Sequence, residues 1–300
     1  MAGRGPARAL SQAGVARVVV ATADPNPAVN GQGIALLRNA GVEVTVGVLQ
    51  AEARALNDAF ARFIRTRLPF VTLKAAMTLD GRIAPSDAGH RGRDDPEQPK
   101  GLGERAWITG EAARMQVQEM RHGNDALLTG VGTVLADDPF LTDRSRRSRR
   151  RALLRVVLDS QLKMPLDARL LANVADDLLV VTRSRNDGRR RALMERGARI
   201  LEIDTQAEGG ISLRAVLAKL GEQNITSVLV EGGARINRSV LLSDSADKLC
   251  LFYAPTFLGA DAVPVFSAGQ EARWPRLEQY ALHRYGNDFA VEGCLRDPWV

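Results

Sequence analysis

The run Ile225-Thr226-Ser227-Val228-Leu229-Val230 ends in Glu231-Gly232-Gly233-Ala234-Arg235-Ile236-Asn237, and this junction constrains the fold more than any other stretch. An apolar run rich in β-branched residues reads as a buried strand. The glycine pair lets the backbone turn tightly and approach a ligand closely, and a helical pattern over residues 237–242 follows. Strand, glycine turn and helix N-terminus form an α/β unit whose free N–H groups and positive dipole end suit an anion, usually a phosphate. The same residues also serve as a plain strand-to-helix connection, since the turn lacks a full G-x-G-x-x-G. Glu231 raises the stakes by placing a carboxylate at the mouth of the turn.

The rest of the chain keeps this rhythm. Apolar runs predict strands at 15–21, 42–48, 70–76, 126–129, 155–159, 178–182, 198–203, 248–254 and 288–294. Helical spacing predicts helices at 51–65, 111–120, 189–196 and 212–220, with Thr109 the N-cap of the second and a helical turn over 131–138. Strands alternating with helices predict an α/β domain with a largely parallel sheet, and the last strands a closing antiparallel hairpin. The first 67 residues read strand, loop, strand, helix, and are small for an independent domain. Leu68-Pro69 marks a boundary, so the organisation expected is 1–67 and 68–300. Residues 84–103, rich in Gly, Pro, Asp and Arg, read as a mobile surface loop.

The chain carries a net charge of +6, much of it from Arg144-Ser145-Arg146-Arg147-Ser148-Arg149-Arg150-Arg151. Without interleaved aromatics this run is no stacking platform for single-stranded nucleic acid. It reads as a solvated loop, or as a loop whose first arginine serves a phosphorylated small molecule. Cys250 and Cys294 are too few and too far apart for a disulfide framework or zinc cluster, and His90, His122 and His283 are too scattered for a metal site. No metal is expected. No run reaches the ~18 apolar residues of a membrane span, and residues 1–9 lead into no apolar signal region. A cytoplasmic protein that binds neither membrane nor nucleic acid is expected.

Several motifs occur together in order. They are Leu73-Lys74-Ala75-Ala76-Met77-Thr78-Leu79-Asp80-Gly81-Arg82, Trp107-Ile108-Thr109-Gly110, Gly130-Val131-Gly132-Thr133-Val134-Leu135-Ala136-Asp137-Asp138-Pro139, Leu141-Thr142-Asp143-Arg144, Val157-Leu158-Asp159-Ser160 and Val230-Glu231-Gly232-Gly233. In sequence and spacing they resemble the reductase domain of the bifunctional riboflavin-biosynthesis deaminase/reductase family. The resemblance implies a dihydrofolate-reductase-like mixed sheet flanked by helices. It further implies NADPH-dependent reduction of 5-amino-6-(5-phosphoribosylamino)uracil to its ribityl product, and self-association as a dimer. Asp24-Pro25-Asn26-Pro27-Ala28-Val29-Asn30-Gly31-Gln32-Gly33 and Ala40-Gly41-Val42-Glu43-Val44 resemble the closing segments of that family's deaminase domain, a partial cytidine-deaminase-like α/β segment. A zinc deaminase needs a pattern such as H-x-E…P-C-x-x-C. This chain has none, so deamination is not expected of it. The alternative is a non-catalytic fragment that binds NADPH or a partner.

Carried over residue by residue, the resemblance assigns NADPH to Ala76, Trp107, Thr133, Asp137, Ser160 and the turn Gly233, Ala234, Arg235, Ile236, Asn237, Arg238 and Ser239. It assigns the phosphorylated aminopyrimidine substrate to Arg121, Leu141, Arg144 and Glu231, and Arg105 stands where the family usually has a substrate-site serine. Glu231 is expected to accept hydrogen bonds from the aminouracil, and Lys74 and Asp137 are the candidates for proton delivery. On residue type alone, Trp107 reads as a core tryptophan and Arg121 as a solvated helix arginine, while Lys74, inside an apolar run, is costly unless paired, with edge-strand exposure the alternative.

Overall fold

The computed structural model describes residues 5–29, 31–85, 107–203, 210–269, 274–277 and 279–300. Arg105 and most of the segment expected to be a surface loop therefore lie outside the described residues. The chain divides into two compact units, Met1–Phe70 with Pro298–Val300, and Val71–Asp297.

The smaller unit contains α1 (Pro6–Gln12), β1 (Arg17–Val20), α2 (Gln32–Asn39), β2 (Glu43–Val46) and α3 (Gln50–Thr66). Its two strands pair in parallel, Arg17 opposite Glu43 through Val20 opposite Val46. The two strands and α3 follow the sequence expectation, but α1 and α2 do not. No helical pattern was expected at either place, yet Pro6 occupies the first turn of α1, where proline is favoured, and Gly31 takes a left-handed φ of 76° at the N-cap of α2. Burial is thin: Leu37, Val42, Ala61 and Phe63 are its buried apolar residues before the boundary strand. Within this unit, Trp299 donates its indole N–H to Asp58 at 2.8 Å and lies under the Arg54 guanidinium at 5.0 Å.

The larger unit is built on a nine-stranded sheet. Its strands are β3 (Phe70–Thr78), β5 (Ala126–Gly130), β6 (Leu154–Leu158), β7 (Leu178–Thr182), β8 (Arg199–Glu202), β9 (Ser227–Glu231), β10 (Lys248–Ala254), β12 (Ala281–Tyr285) and β13 (Asp288–Cys294). β4 (Arg82–Ala84) and β11 (Val263–Pro264) form a separate short pair. The spatial order is β12-β13-β10-β3-β9-β5-β6-β7-β8. β9-β5-β6-β7-β8 run parallel, β3 and β10 are parallel, and the hairpin of β12 and β13 adds antiparallel edges. This is the mixed, dihydrofolate-reductase-like sheet that the sequence led us to expect. The helices are α4 (Glu111–Gly123), α5 (Val131–Asp137), α6 (Asp187–Glu195), α7 (Leu213–Glu222) and α8 (Ala234–Leu242).

β5, β6 and β7 are buried at every residue, as parallel strands covered on both faces must be. Burying each Leu or Val side chain contributes ~1.5–3 kcal/mol. Arg155 is the exception inside β6. Its guanidinium pairs with Asp177 at 2.8 Å and donates to the carbonyls of Leu170 and Asn173, both at 3.1 Å, so its charge is not left bare.

Two expectations about helix starts change. Thr109 is not the N-cap of α4; Gly110 is, and its N–H donates to Asp288 Oδ2 of β13 at 2.7 Å. A carboxylate distant in sequence supplies what the local threonine does not. Helix α8 begins at Ala234 rather than Asn237, directly behind the glycine pair. The topology offers a candidate position for a site: the chain steps outward from β5 to β8 and returns to lay β9 on the opposite flank of β5. In open α/β sheets, ligands bind at such a reversal, beyond the carboxyl ends of the strands.

Candidate active site

At that reversal the ends of β5 and β9 are tied together, Thr129 donating its hydroxyl to the Glu231 carbonyl at 2.7 Å. Each strand runs through glycine into a helix. A Cβ on Gly232 would lie 2.6 Å from Cβ and Cγ2 of Ile236, and one on Gly130 would lie 2.8 Å from Ile236 Cγ1. The close approach these glycines allow is thus made by the chain's own Ile236, wedged between the two strand ends. Gly233 differs: the nearest atom to its would-be Cβ is Thr133 Oγ1 at 3.9 Å. Its outer face remains open, with the α5 hydroxyl opposite.

α6 and α7 are capped by their own side chains, Asn186 accepting from the Arg189 N–H at 3.0 Å and Ser212 from the Ala215 N–H at 3.3 Å. α4, α5 and α8 start on glycines with no side-chain cap, and of these α8 follows the glycine pair at the end of β9. Its unsatisfied N–H groups and positive dipole end therefore face the end of β9, an arrangement suited to phosphate oxygens. Ser160, half-buried, follows β6, with Asp159 accepting the Lys163 and Met164 N–H groups at 2.9 and 2.7 Å to shape that loop.

Beside the turn lies a compact ionic cluster. Glu231 accepts Arg121 Nε at 2.7 Å and Nη2 at 2.9 Å, a bidentate pair, and Lys74 Nζ stands 4.0 Å from its Oε2. The three side chains are 13%, 11% and 14% exposed. Burial opposes the ionisation of Glu231, but the Arg121 charge and hydrogen bonds, with Lys74 and Arg144, hold its carboxyl below the usual range. Burial pushes the Lys74 ammonium below its ordinary value, and the Glu231 charge only partly offsets this. Lys74 therefore gives up its proton more readily than a surface lysine. Its ammonium also lies 5.9 Å from the centre of the Phe252 ring.

Four of the residues singled out in the sequence, Lys74, Arg121, Glu231 and Arg144, interact here. Lys74 and Ala76 share one face of β3, an interior strand between β9 and β10, so the edge-strand reading of Lys74 does not hold. Arg121 is no solvated helix arginine. Its Nη1 also donates to the Thr142 carbonyl at 3.0 Å, leaving little of the guanidinium free. Trp107 is 67% exposed under the Arg114 guanidinium at 5.4 Å, so it is not a core tryptophan. Leu141 is different. Its side chain is buried with Leu127, Val134 and Leu229, and its φ of 52° bends the chain there. Only its backbone is available to a ligand.

Within α8, Asn237 is fully buried and donates to the Val265 carbonyl at 3.0 Å, while its Oδ1 has no hydrogen-bond partner. Ile236 packs as described, Arg238 is half-buried, and Arg235 and Ser239 are exposed. Asp137 closes α5 and is exposed, about a helix length of ~10 Å from the first turn. It stays out of the Lys74–Glu231–Arg121 cluster.

The arginine run is not simply a solvated loop. Arg149 donates to the carbonyls of Arg121, His122 and Asn124 at 2.9, 2.9 and 2.6 Å, capping the C-terminus of α4. Arg147 pairs with Glu119, and Arg151 donates to the Asn224 carbonyl at 2.9 Å. Sequence reasoning missed Asp143, Arg149 and Asp288. Each acts on backbone or side chains remote in sequence, and only Asp143, accepting the Ser145 N–H, also has a local partner. Among the described residues, no group of three His, Cys, Asp or Glu is placed to hold a metal, and no helix is long and apolar enough to cross a membrane.

Comparison with known proteins agrees with this architecture. Residues 69–291 match the family model of the RibD C-terminal domain. The riboflavin biosynthesis protein RibD of Bacillus amyloliquefaciens is 36% identical over 97% of this chain, which spans 75% of that protein. That of Aquifex aeolicus is 37% identical over 84% of this chain, which spans 64% of that protein. Among solved structures, Acinetobacter baumannii RibD matches with a TM-score of 0.75 and 34% identity, covering 98% of this chain and 77% of that one. A Thermotoga maritima diaminohydroxyphosphoribosylaminopyrimidine deaminase/5-amino-6-(5-phosphoribosylamino)uracil reductase matches with a TM-score of 0.73 and 30% identity, covering 97% and 75%.

Proposed function

The chain belongs to the RibD C-terminal domain family, and from that premise we propose that it is the reductase of riboflavin biosynthesis. It reduces 5-amino-6-(5-phosphoribosylamino)uracil to 5-amino-6-(5-phosphoribitylamino)uracil with NADPH. The Thermotoga maritima relative carries this reductase in its name, and its likeness covers 97% of this chain. The observation that carries the reading is the position of Glu231: a carboxylate held by Arg121 and Lys74, at the end of the strand that runs into the glycine turn.

The residues present fit the dinucleotide. The uncapped start of α8, the open face of Gly233 and the Thr133 hydroxyl opposite it suit a diphosphate, and Ser160 extends that surface along the end of β6. Trp107 offers an exposed flat face, and Ala76 leaves room beside Lys74. NADPH, when bound, supplies the hydride that adds to the ribosyl carbon of the open-chain imine.

The protein's part is orientation and one proton. Glu231, kept ionised by Arg121, accepts hydrogen bonds from the aminouracil. Lys74 Nζ, its pKa lowered by burial, delivers the proton to the substrate nitrogen as the carbon is reduced. Because Arg121 is engaged by Glu231 and Thr142, the sugar phosphate falls chiefly to Arg144, whose charge also reaches Glu231. Asp137 belongs to the cofactor side rather than to proton delivery. The smaller unit is the closing part of a deaminase domain, and the working form is a cytoplasmic homodimer.

The test is substrate-dependent loss of NADPH absorbance with purified protein and freshly prepared 5-amino-6-(5-phosphoribosylamino)uracil. Turnover supports the reading. Folded protein that binds NADPH but leaves it unoxidised overturns it in favour of a non-catalytic cofactor-binding fragment.

A further inference from the structure

The cationic run that follows Leu141 has a structural purpose that charge alone does not reveal. Three consecutive residues of this loop are gripped by one face of α4. The Thr142 carbonyl accepts Arg121 Nη1 at 3.0 Å, the Asp143 carboxylate meets His122 Nδ1 at 2.8 Å, and the Arg144 N–H donates to Gln118 Oε1 at 2.9 Å. Gln118, Arg121 and His122 are spaced three and four apart, so they share a single helical stripe.

The middle contact is reinforced from both sides. Arg149 Nη1 lies 3.1 Å from Asp143 Oδ2 while also holding the α4 carbonyls of Arg121 and His122. Asp143 Oδ1 accepts the Ser145 N–H at 2.8 Å, and Ser145 Oγ stands 3.1 Å from His122 Nδ1. The Asp143 side chain is 6% exposed. Burial works against its charge, but the Ser145 N–H and hydroxyl, His122 and Arg149 together hold its carboxyl far below the usual carboxylate range. The loop is therefore locked to the last turn of α4 by a carboxylate that stays ionised.

We propose that Asp143, with His122 and Arg149, is a positioning clasp that fixes Arg144 for the phosphorylated end of the substrate and, through the Thr142 carbonyl, keeps the Arg121 guanidinium against Glu231. The proposal deepens the reductase reading and rests on it. Asp143, His122 and Arg149 act through the two arginines and not on the reacting atoms. Loosening them should therefore weaken substrate binding while leaving the hydride step and the cofactor site intact. A purely structural role would instead lower stability and affect both ligands alike.

The variants are Asp143→Asn and, as a milder probe that removes only the acceptor of the Arg144 N–H, Gln118→Ala. Steady-state kinetics should show KM for the aminopyrimidine raised about ten-fold in Asp143→Asn and less in Gln118→Ala, with kcat within about two-fold of the wild type. The Kd for NADPH should be unchanged. A fall in kcat at unchanged KM, or an equal loss of NADPH affinity, overturns the clasp. If Asp143→Asn does not fold, Gln118→Ala decides the matter by the same split. Ribose 5-phosphate binding, read by calorimetry without turnover, separates the two readings. A wild type that binds ribose 5-phosphate but reduces nothing ends the reductase reading alone. Equal ribose 5-phosphate affinity in wild type and variants, or none in either, ends the clasp.

Discussion

Both units of this protein contain parallel strands, yet the two sets are in opposite states. In the larger unit β5, β6 and β7 are buried throughout and flanked by parallel neighbours. In the smaller one β1 and β2, among the described residues, pair with each other alone, and Val19 is 55% exposed. Parallel pairing is slightly weaker per residue than antiparallel pairing and depends on covered faces. The sheet of the larger unit carries its own cover, while α3 leaves Leu56 87% and Phe60 45% exposed. A scaffold rigid enough to hold Glu231, Arg121 and Lys74 in register needs the first state. Sequence identity can run through both regions while stability concentrates in one.

Amide exchange tests this contrast most strongly. Amides of Val156, Val157 and Val180 should open only with global unfolding, at free energies approaching ~5–15 kcal/mol, whereas those of Val18–Val20 should open at a small fraction of that. Equal protection in the two sheets would break the comparison.

Ion pairs sharpen it next. Glu231→Ala leaves Arg121 and Lys74 buried without a counter-charge and should destabilise the larger unit by ~3–5 kcal/mol while abolishing turnover. In the smaller unit, Glu43→Ala removes an exposed partner of Arg17 and should change stability by less than ~0.5 kcal/mol in chemical denaturation. Acid titration adds a sign. The Glu231 carboxyl is held below its ordinary value when folded, so its stabilisation is complete above the unfolded pKa of ~4.3 and is lost as pH falls through the lowered folded value. Glu231→Gln should therefore flatten the loss of stability below about pH 4; an unchanged acid slope would contradict the assignment.

Glycine substitutions give smaller effects than loss of the buried ion pair, with opposite directions in the two units. Gly232→Ala drives a Cβ to 2.6 Å from Ile236 and should cost ~1–3 kcal/mol, with weaker NADPH binding by fluorescence titration. Gly33→Ala, within α2, meets only the Ala7 methyl at 3.6 Å and should raise the melting temperature, a gain of ~0.5–1 kcal/mol. A destabilised Gly33→Ala would mean that the smaller unit is packed more tightly than its exposed apolar residues indicate.

Much of this was legible in the sequence because periodicity and local chemistry agreed. Leu178–Thr182, Lys248–Ala254 and Asp288–Cys294 are strands within the bounds their apolar runs imply. The junction at Glu231 was recognisable as strand, turn and helix. α1 and α2 were not, because Pro6 and Gly31 act there as helix starts, a role that neighbouring residues do not disclose. In the site, residue type alone misread Arg121 and Trp107. Each takes its state from partners or exposure set by other segments, from Glu231 110 residues beyond Arg121 to the Arg114 guanidinium over Trp107.

The sequence by itself determined the alternation of strands and helices, the glycine turn and the residue types that bear the chemistry, since these follow from short-range sterics and hydrophobic spacing. Tertiary structure decided which charges meet and what each glycine is for. Gly232 and Gly130 make way for Ile236, Asp288 serves the start of α4 in place of Thr109, and Arg149 closes the end of that helix. These outcomes depend on which strand ends and helix termini are brought within a few ångströms of one another, and buried polar groups must then be paired wherever the fold delivers them.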